Sequence, residues 1–201
     1  MNDGDVRKIG ILMLAVAVIG IGYVLYDQSR GVSMDEAERI SERYLGSLGS
    51  DDLEISEIME FEYNYYVIYS EESTGMGAFE MLIDKTTGRI FPEYGPNMMW
   101  NLKYGHGGMM GSPGGMMGNH YPPGYVGDQV PEEEALTIAQ GFLDEAYPGS
   151  EADDPHPFYG YYTIHTKRDG EVFGMLSVNS IDGSVWYHSW HGGFIQSVET
   201  H

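Results

Sequence analysis

An α+β fold carried on one N-terminal membrane-spanning helix is what this sequence predicts, and three observations predict it. An uncharged run fills residues 9–26. A stretch with helical spacing near residue 35 is followed by runs rich in aromatic and β-branched residues. The same order of patterns then returns 94 to 96 residues later.

The membrane segment comes first. Residues Ile9 to Tyr26 read IGILMLAVAVIGIGYVLY, without a charge. At about 1.5 Å per residue such a helix just crosses a bilayer core. Arg7 and Lys8 precede it and favour a cytoplasmic N-terminus, which leaves the bulk of the chain outside the cell membrane as a single-pass protein. Tyr23 and Tyr26 stand where interfacial aromatics belong. A cleaved signal peptide and a buried core helix are the alternatives. Against the first, the run is long and continues as Asp27-Gln28-Ser29-Arg30, with no small-residue cleavage site. Against the second, a stretch apolar all round is rare in a small soluble domain.

The first soluble element is a helix opening at Asp35-Glu36-Ala37. Ser33 is its predicted N-cap, and Glu36 stands at the capping-box position. Ala37, Ile40, Tyr44, Leu45 and Leu48 form its apolar stripe. Strand-like runs follow at Ile55 to Tyr69 and at Ala78 to Asp84, then a turn at Lys85-Thr86-Thr87-Gly88 and another strand from Arg89. In the second copy, Pro131 begins a helix with Glu132, Glu133 and Glu134 in its first turn, favourable at the positive end of the helix dipole. Ala135, Ile138, Ala139, Phe142 and Leu143 supply the apolar face. Asn64 to Ile68 then matches Gly160 to Ile164, Phe79 to Leu82 matches Phe173 to Leu176, and Asp84 to Gly88 matches Asn179 to Gly183. Asp84 and Asn179 can accept from backbone two residues on, and Gly88 and Gly183 supply positive φ, so these four residues read as structural turns. The organisation expected is a tip and anchor at 1–30, a repeat at 31–97, a linker at 98–129 and a second repeat at 130–201.

Glu36-Ala37 together with Ile83-Asp84-Lys85-Thr86-Thr87-Gly88-Arg89-Ile90 resembles the PepSY domain. The resemblance covers most of residues 33–95 and 130–191. The second copy departs from the pattern, with Asn179 and Asp182 where Asp and Thr are usual. The resemblance implies small units of one helix on an antiparallel sheet. It also implies inhibitory or binding modules, found in propeptides of secreted peptidases and in membrane-anchored envelope proteins. It brings no catalytic residues.

Charge narrows the partners. With 31 acidic and 10 basic residues the chain carries −21, which argues against a nucleic-acid partner. It suits cationic partners, metal ions or a saline medium. The chain has 0 cysteines, so it holds no disulfide, no thiolate metal site and no catalytic thiol. The usual catalytic motifs are missing, which points to a protein that is not an enzyme and requires no cofactor. Asp51-Asp52 and Asp153-Asp154 read as solvated loop pairs, and His156, between Pro155 and Pro157, as a residue on a stiff loop. His188 and His191 flank Trp190. On a strand they would face opposite ways, so they share a metal only if the chain turns at Gly192-Gly193.

The linker is unusual in composition. Met98 to Gly127 is rich in Gly, Pro and Met, which opposes helix and strand alike, so an exposed, mobile connector is expected. Two readings of its methionines stay open. They are adaptable filler lying on the neighbouring units. Or His106, Met109, Met110, Met116, Met117 and His120 form a copper site, since thioether sulfur suits Cu(I). The function expected is a membrane-anchored extracytoplasmic module binding or restraining an envelope protein or peptidase. The alternative is an extracytoplasmic copper-binding protein.

Overall fold

The computed structural model describes residues 31–105 and 129–199. The expected span at 9–26 and the six linker residues His106, Met109, Met110, Met116, Met117 and His120 lie outside the described residues. Among the described residues no helix is long and apolar enough to cross a membrane.

Helix α1 (Met34–Leu48) starts at Ser33, whose Oγ accepts from the Glu36 amide at 3.3 Å. That is half of a capping box. The Glu36 carboxylate turns instead to Arg39 and Arg43 one and two turns on. Gly49, at φ 66°, ends the helix in the left-handed region that favours glycine. Strands β1 (Leu53–Phe61), β2 (Asn64–Glu71), β3 (Gly77–Asp84) and β4 (Ile90–Pro92) follow as an antiparallel meander. The continuous run at 55–69 is therefore two strands, broken at Glu62-Tyr63. That turn is satisfied from afar: the Glu62 amide donates to the Gly193 carbonyl at 2.8 Å and Tyr63 to His191 at 3.1 Å.

The linker begins later than composition implies. Short helix α2 (Pro96–Met99) packs on the meander, and the Asn101 side chain donates to the Ala78 carbonyl at 2.7 Å. Tyr104 is buried in the first core. Residues 98–105 are thus packed structure, because Asn101 and Tyr104 each find a partner in the sheet.

The second half repeats the order: α3 (Glu132–Ala146), β5 (Glu151–Phe158), β6 (Tyr161–Arg168), β7 (Glu171–Asn179) and β8 (Val185–Tyr187). Pro131 is the residue before α3, and Ala135, Ala139 and Leu143 are its buried stripe. The stretch around Asp153-Asp154 and His156 is strand β5, where a loop was expected. Pro155 and Pro157 are tolerated because β5 pairs along its length with β6 alone, and meets β3 at one position, Gly77 opposite Phe158. A proline that lacks an N–H loses nothing on such an open side.

A last strand, β9 (Phe194–Glu199), returns to the first half and pairs antiparallel with β1. The sheet order is β8-β7-β6-β5-β3-β2-β1-β9, with β4 on β3. The core lies in three layers. One cluster joins α1 to its strands and another joins α3 to its own. The third, with Met59, Phe61, Tyr66, Ile68, Phe158, Tyr161 and Met175, lies between the two halves on the faces turned away from the helices. All eight residues of β2 are buried, as a strand covered on both faces requires.

Candidate functional site

The layer between the halves is not wholly apolar. Strand alternation puts Phe79 and Met81 under α1 and turns Glu80 the other way, fully buried at 0 % exposure. Glu93 follows β4 and is also at 0 %. Asn97, itself buried, holds the two backbones together: it accepts from the Glu80 amide at 3.0 Å and donates to the Glu80 and Glu93 carbonyls. His188 and His191 come from the segment between β8 and β9. The His188 amide donates to the Met175 carbonyl, and Gly192, at φ 77°, lets the chain turn against Glu62. Both imidazoles are buried.

Each group is held by named partners. The Glu80 carboxylate accepts from Tyr66, from Thr163 at 2.6 Å and from Tyr161 at 2.8 Å. Thr163 lies 3.2 Å from Ser177, which lies 2.9 Å from His188 Nε2. The directions follow from proton counting. Thr163 spends its proton on Glu80, so Ser177 donates to Thr163 and His188 Nε2–H donates to Ser177. Asn64 Oδ1 can only accept, so His191 Nδ1 at 2.8 Å is the donor. The ring nitrogens left bare in the neutral imidazoles, His188 Nδ1 and His191 Nε2, both face Glu93 Oε1, at 3.2 Å and 2.9 Å. Trp190 stacks on His188 at 5.0 Å and donates to Glu93 Oε1 at 3.3 Å, while Phe61 stacks on His191 at 4.6 Å. The rings are therefore locked in place.

Burial, and then the charge of Glu93, push the Glu80 carboxyl up to about 7. Burial acts on Glu93 as well, but the facing His188 and His191 outweigh it and hold that carboxyl low. Burial opposes a charge on His188, and Glu93 overcomes it and raises that imidazole above its ordinary value. Among the described residues, no lysine or arginine donates to either carboxylate. The arrangement presents two imidazoles and a carboxylate whose donor atoms lie within 4.8 Å of one another, a set that can hold a metal ion or share protons.

Apart from His188 and His191, the sequence-derived residues stand elsewhere. Asp84 Oδ1 accepts from the Thr86 and Thr87 amides at 3.1 Å and 2.7 Å, and Asn179 Oδ1 from Ile181 and Asp182 at 2.8 Å and 3.3 Å. Gly88 and Gly183 follow at φ 68° and 72°. His156 is on β5, 3.3 Å from Ser70 Oγ, and burial pushes its imidazole down to about 4. His188 and His191 do converge, but through the turn at Ser189-Trp190 that follows β8, so the strand geometry that separates i and i+3 does not apply. Glu93 escaped the sequence reading altogether. Its one signal is a lone carboxylate directly after a short strand, between Pro92 and Pro96.

What the fold and this interior define is an α+β protein whose halves meet on a buried carboxylate–histidine cluster. No family model matches the chain, and no curated protein matches it. Among solved structures, the Bacillus megaterium YpeB C-terminal domain aligns over 78% of this chain at 14% identity with a TM-score of 0.28. The alignment covers 62% of that domain's chain, less than two thirds of its length.

Proposed function

We propose that the chain is a membrane-anchored extracytoplasmic module of two PepSY-like units that binds, without catalysis, an envelope protein or peptidase. The observation that carries this reading is which surfaces are used up and which are free. The inner sheet faces are spent on each other, so α1, α3 and the sheet ends face outward. Those outward surfaces are acidic: Asp35 and Glu42 on α1, and Glu132, Glu133, Glu134, Asp144 and Glu145 on α3, are exposed. A partner with a basic face suits them, and its capture would weaken with salt. The anchor at 9–26 would hold the module at the membrane where such a partner works.

A second reading, copper capture by the linker, rests on the paired methionines beside His106 and His120. One experiment separates the two. The full chain is pulled down from solubilised membranes at low and high salt and its companions are identified by mass spectrometry. Salt-sensitive recovery of an envelope protein supports the binding module. Copper in the purified protein with no protein companion at either salt overturns it in favour of the second reading.

A further inference from the structure

We propose that Glu93, His188 and His191 form a binding site for a divalent metal ion of the zinc class, set between the two halves of the fold. The first ground is unmet bonding. Glu93 Oε2, His188 Nδ1 and His191 Nε2 are buried and make no hydrogen bond, although the two nitrogens approach Glu93 Oε1 at 3.2 Å and 2.9 Å. Their close approach leaves three buried donor atoms within 4.8 Å of one another and able to turn to one ion. Ligands about 2.0–2.1 Å from a tetrahedral ion stand about 3.3 Å apart, near the 3.2 Å and 2.9 Å that separate the two imidazole nitrogens from Glu93 Oε1.

The second ground is tautomer control. Ser177 and Asn64 take the protons of His188 Nε2 and His191 Nδ1, which leaves the inward nitrogens as lone pairs. In the neutral imidazoles two lone pairs then face a carboxylate oxygen, an arrangement relieved by a metal ion among them or by a proton on an inward nitrogen. Partners that fix the outer nitrogen of a histidine are the usual support of a metal ligand. The third ground is charge. Glu93 is fully buried and, among the described residues, receives no lysine or arginine, so a cation held beside it balances its carboxylate.

Two imidazoles and one carboxylate suit zinc and its neighbours, and calcium and magnesium poorly, since those take oxygen ligands. Glu93 belongs to the first half, whereas both histidines lead into β9, the strand that closes the first half's sheet. The ion therefore clasps the C-terminal segment onto β1, and binding stabilises the closed sheet.

The test uses the full chain in detergent, with leucine at Met109, Met110, Met116 and Met117 and glutamine at His106 and His120, so that the linker offers no ligand. After equilibration with zinc and passage over a weak chelator, one zinc per chain is expected by elemental analysis, with a higher Tm than the stripped protein. Glu93→Gln and His191→Gln should each lose the bound zinc. Asn64→Ser should weaken it by about 10–100-fold, as loss of a supporting partner does. Cobalt substituted into the linker-silent chain gives a readout that needs no folded variant: an intense visible band of a four-coordinate ion is expected. Zinc well below one per chain, equal retention in Glu93→Gln and His191→Gln, or the faint spectrum of hydrated cobalt would overturn the site and leave a cluster that holds protons only.

Discussion

Replacing Glu71 with glutamine should destabilise the fold at neutral pH and do so much less in acid. Glu71 closes β2 and is 1 % exposed. Its carboxylate accepts from Lys103 and Tyr104 of the packed stretch after α2, from Tyr159 of the second half at 2.7 Å and from Thr74 at 2.9 Å. Burial alone would raise its pKa, but these four donors win and hold it at about 2, against an ordinary 4.5. A carboxyl lowered in the folded state stabilises it fully above its unfolded pKa. That stability is lost as pH falls through 4.5 toward 2. At about 1.4 kcal/mol per pH unit the whole effect is about 3 kcal/mol, and more than half of it is gone by pH 3. The assay is urea unfolding of wild type and Glu71→Gln at pH 7, 5 and 3. Other carboxylates titrate alike in both proteins and cancel. The gap between the two should shrink from about 3 kcal/mol to about 1 kcal/mol. A gap that stays constant across this range would show that the Glu71 charge contributes nothing, and that the residue acts by shape alone.

Further outcomes follow from close packing, backbone strain and turn geometry. An added Cβ at Gly77 would lie 2.5 Å from the Phe158 ring, at the one position where β3 and β5 pair, so Gly77→Ala should destabilise by about 1–3 kcal/mol in thermal unfolding. Gly75→Ala, with open space around its Cβ but φ 69°, should show the milder effect of backbone strain alone. Asp84→Ala and Asn179→Ala should each lower stability by about 1 kcal/mol through lost turn hydrogen bonds. No change in the urea midpoint of either protein would mean the turns close without those side chains.

Local features were legible in the sequence because neighbours in the chain create them. Ser33 caps α1 through a bond to an amide three residues on. The alternation along β3 that sends Phe79 and Glu80 to opposite sides is likewise local. The hairpin between β1 and β2 was hidden, since Glu62-Tyr63 carries no glycine, proline or asparagine. Its amides are met by residues about 130 positions away, which no window of sequence can register. The strand at β5 was hidden for the converse reason: its prolines signal a break, and only the absence of a full partner on one side makes them tolerable.

By itself, then, the sequence determined the α+β class, the two helices with their buried stripes, the Asp84 and Asn179 turns and the duplicated order of elements. Each of these depends on periodicity or on bonds between near neighbours. The tertiary structure decided that β9 crosses to β1, that the halves share an inner core, and that Glu93 meets His188 and His191 across about 95 residues of chain. These depend on which face lies against which. Burial of apolar surface sets that choice without direction or sequence address, so it exists only once the whole chain has folded.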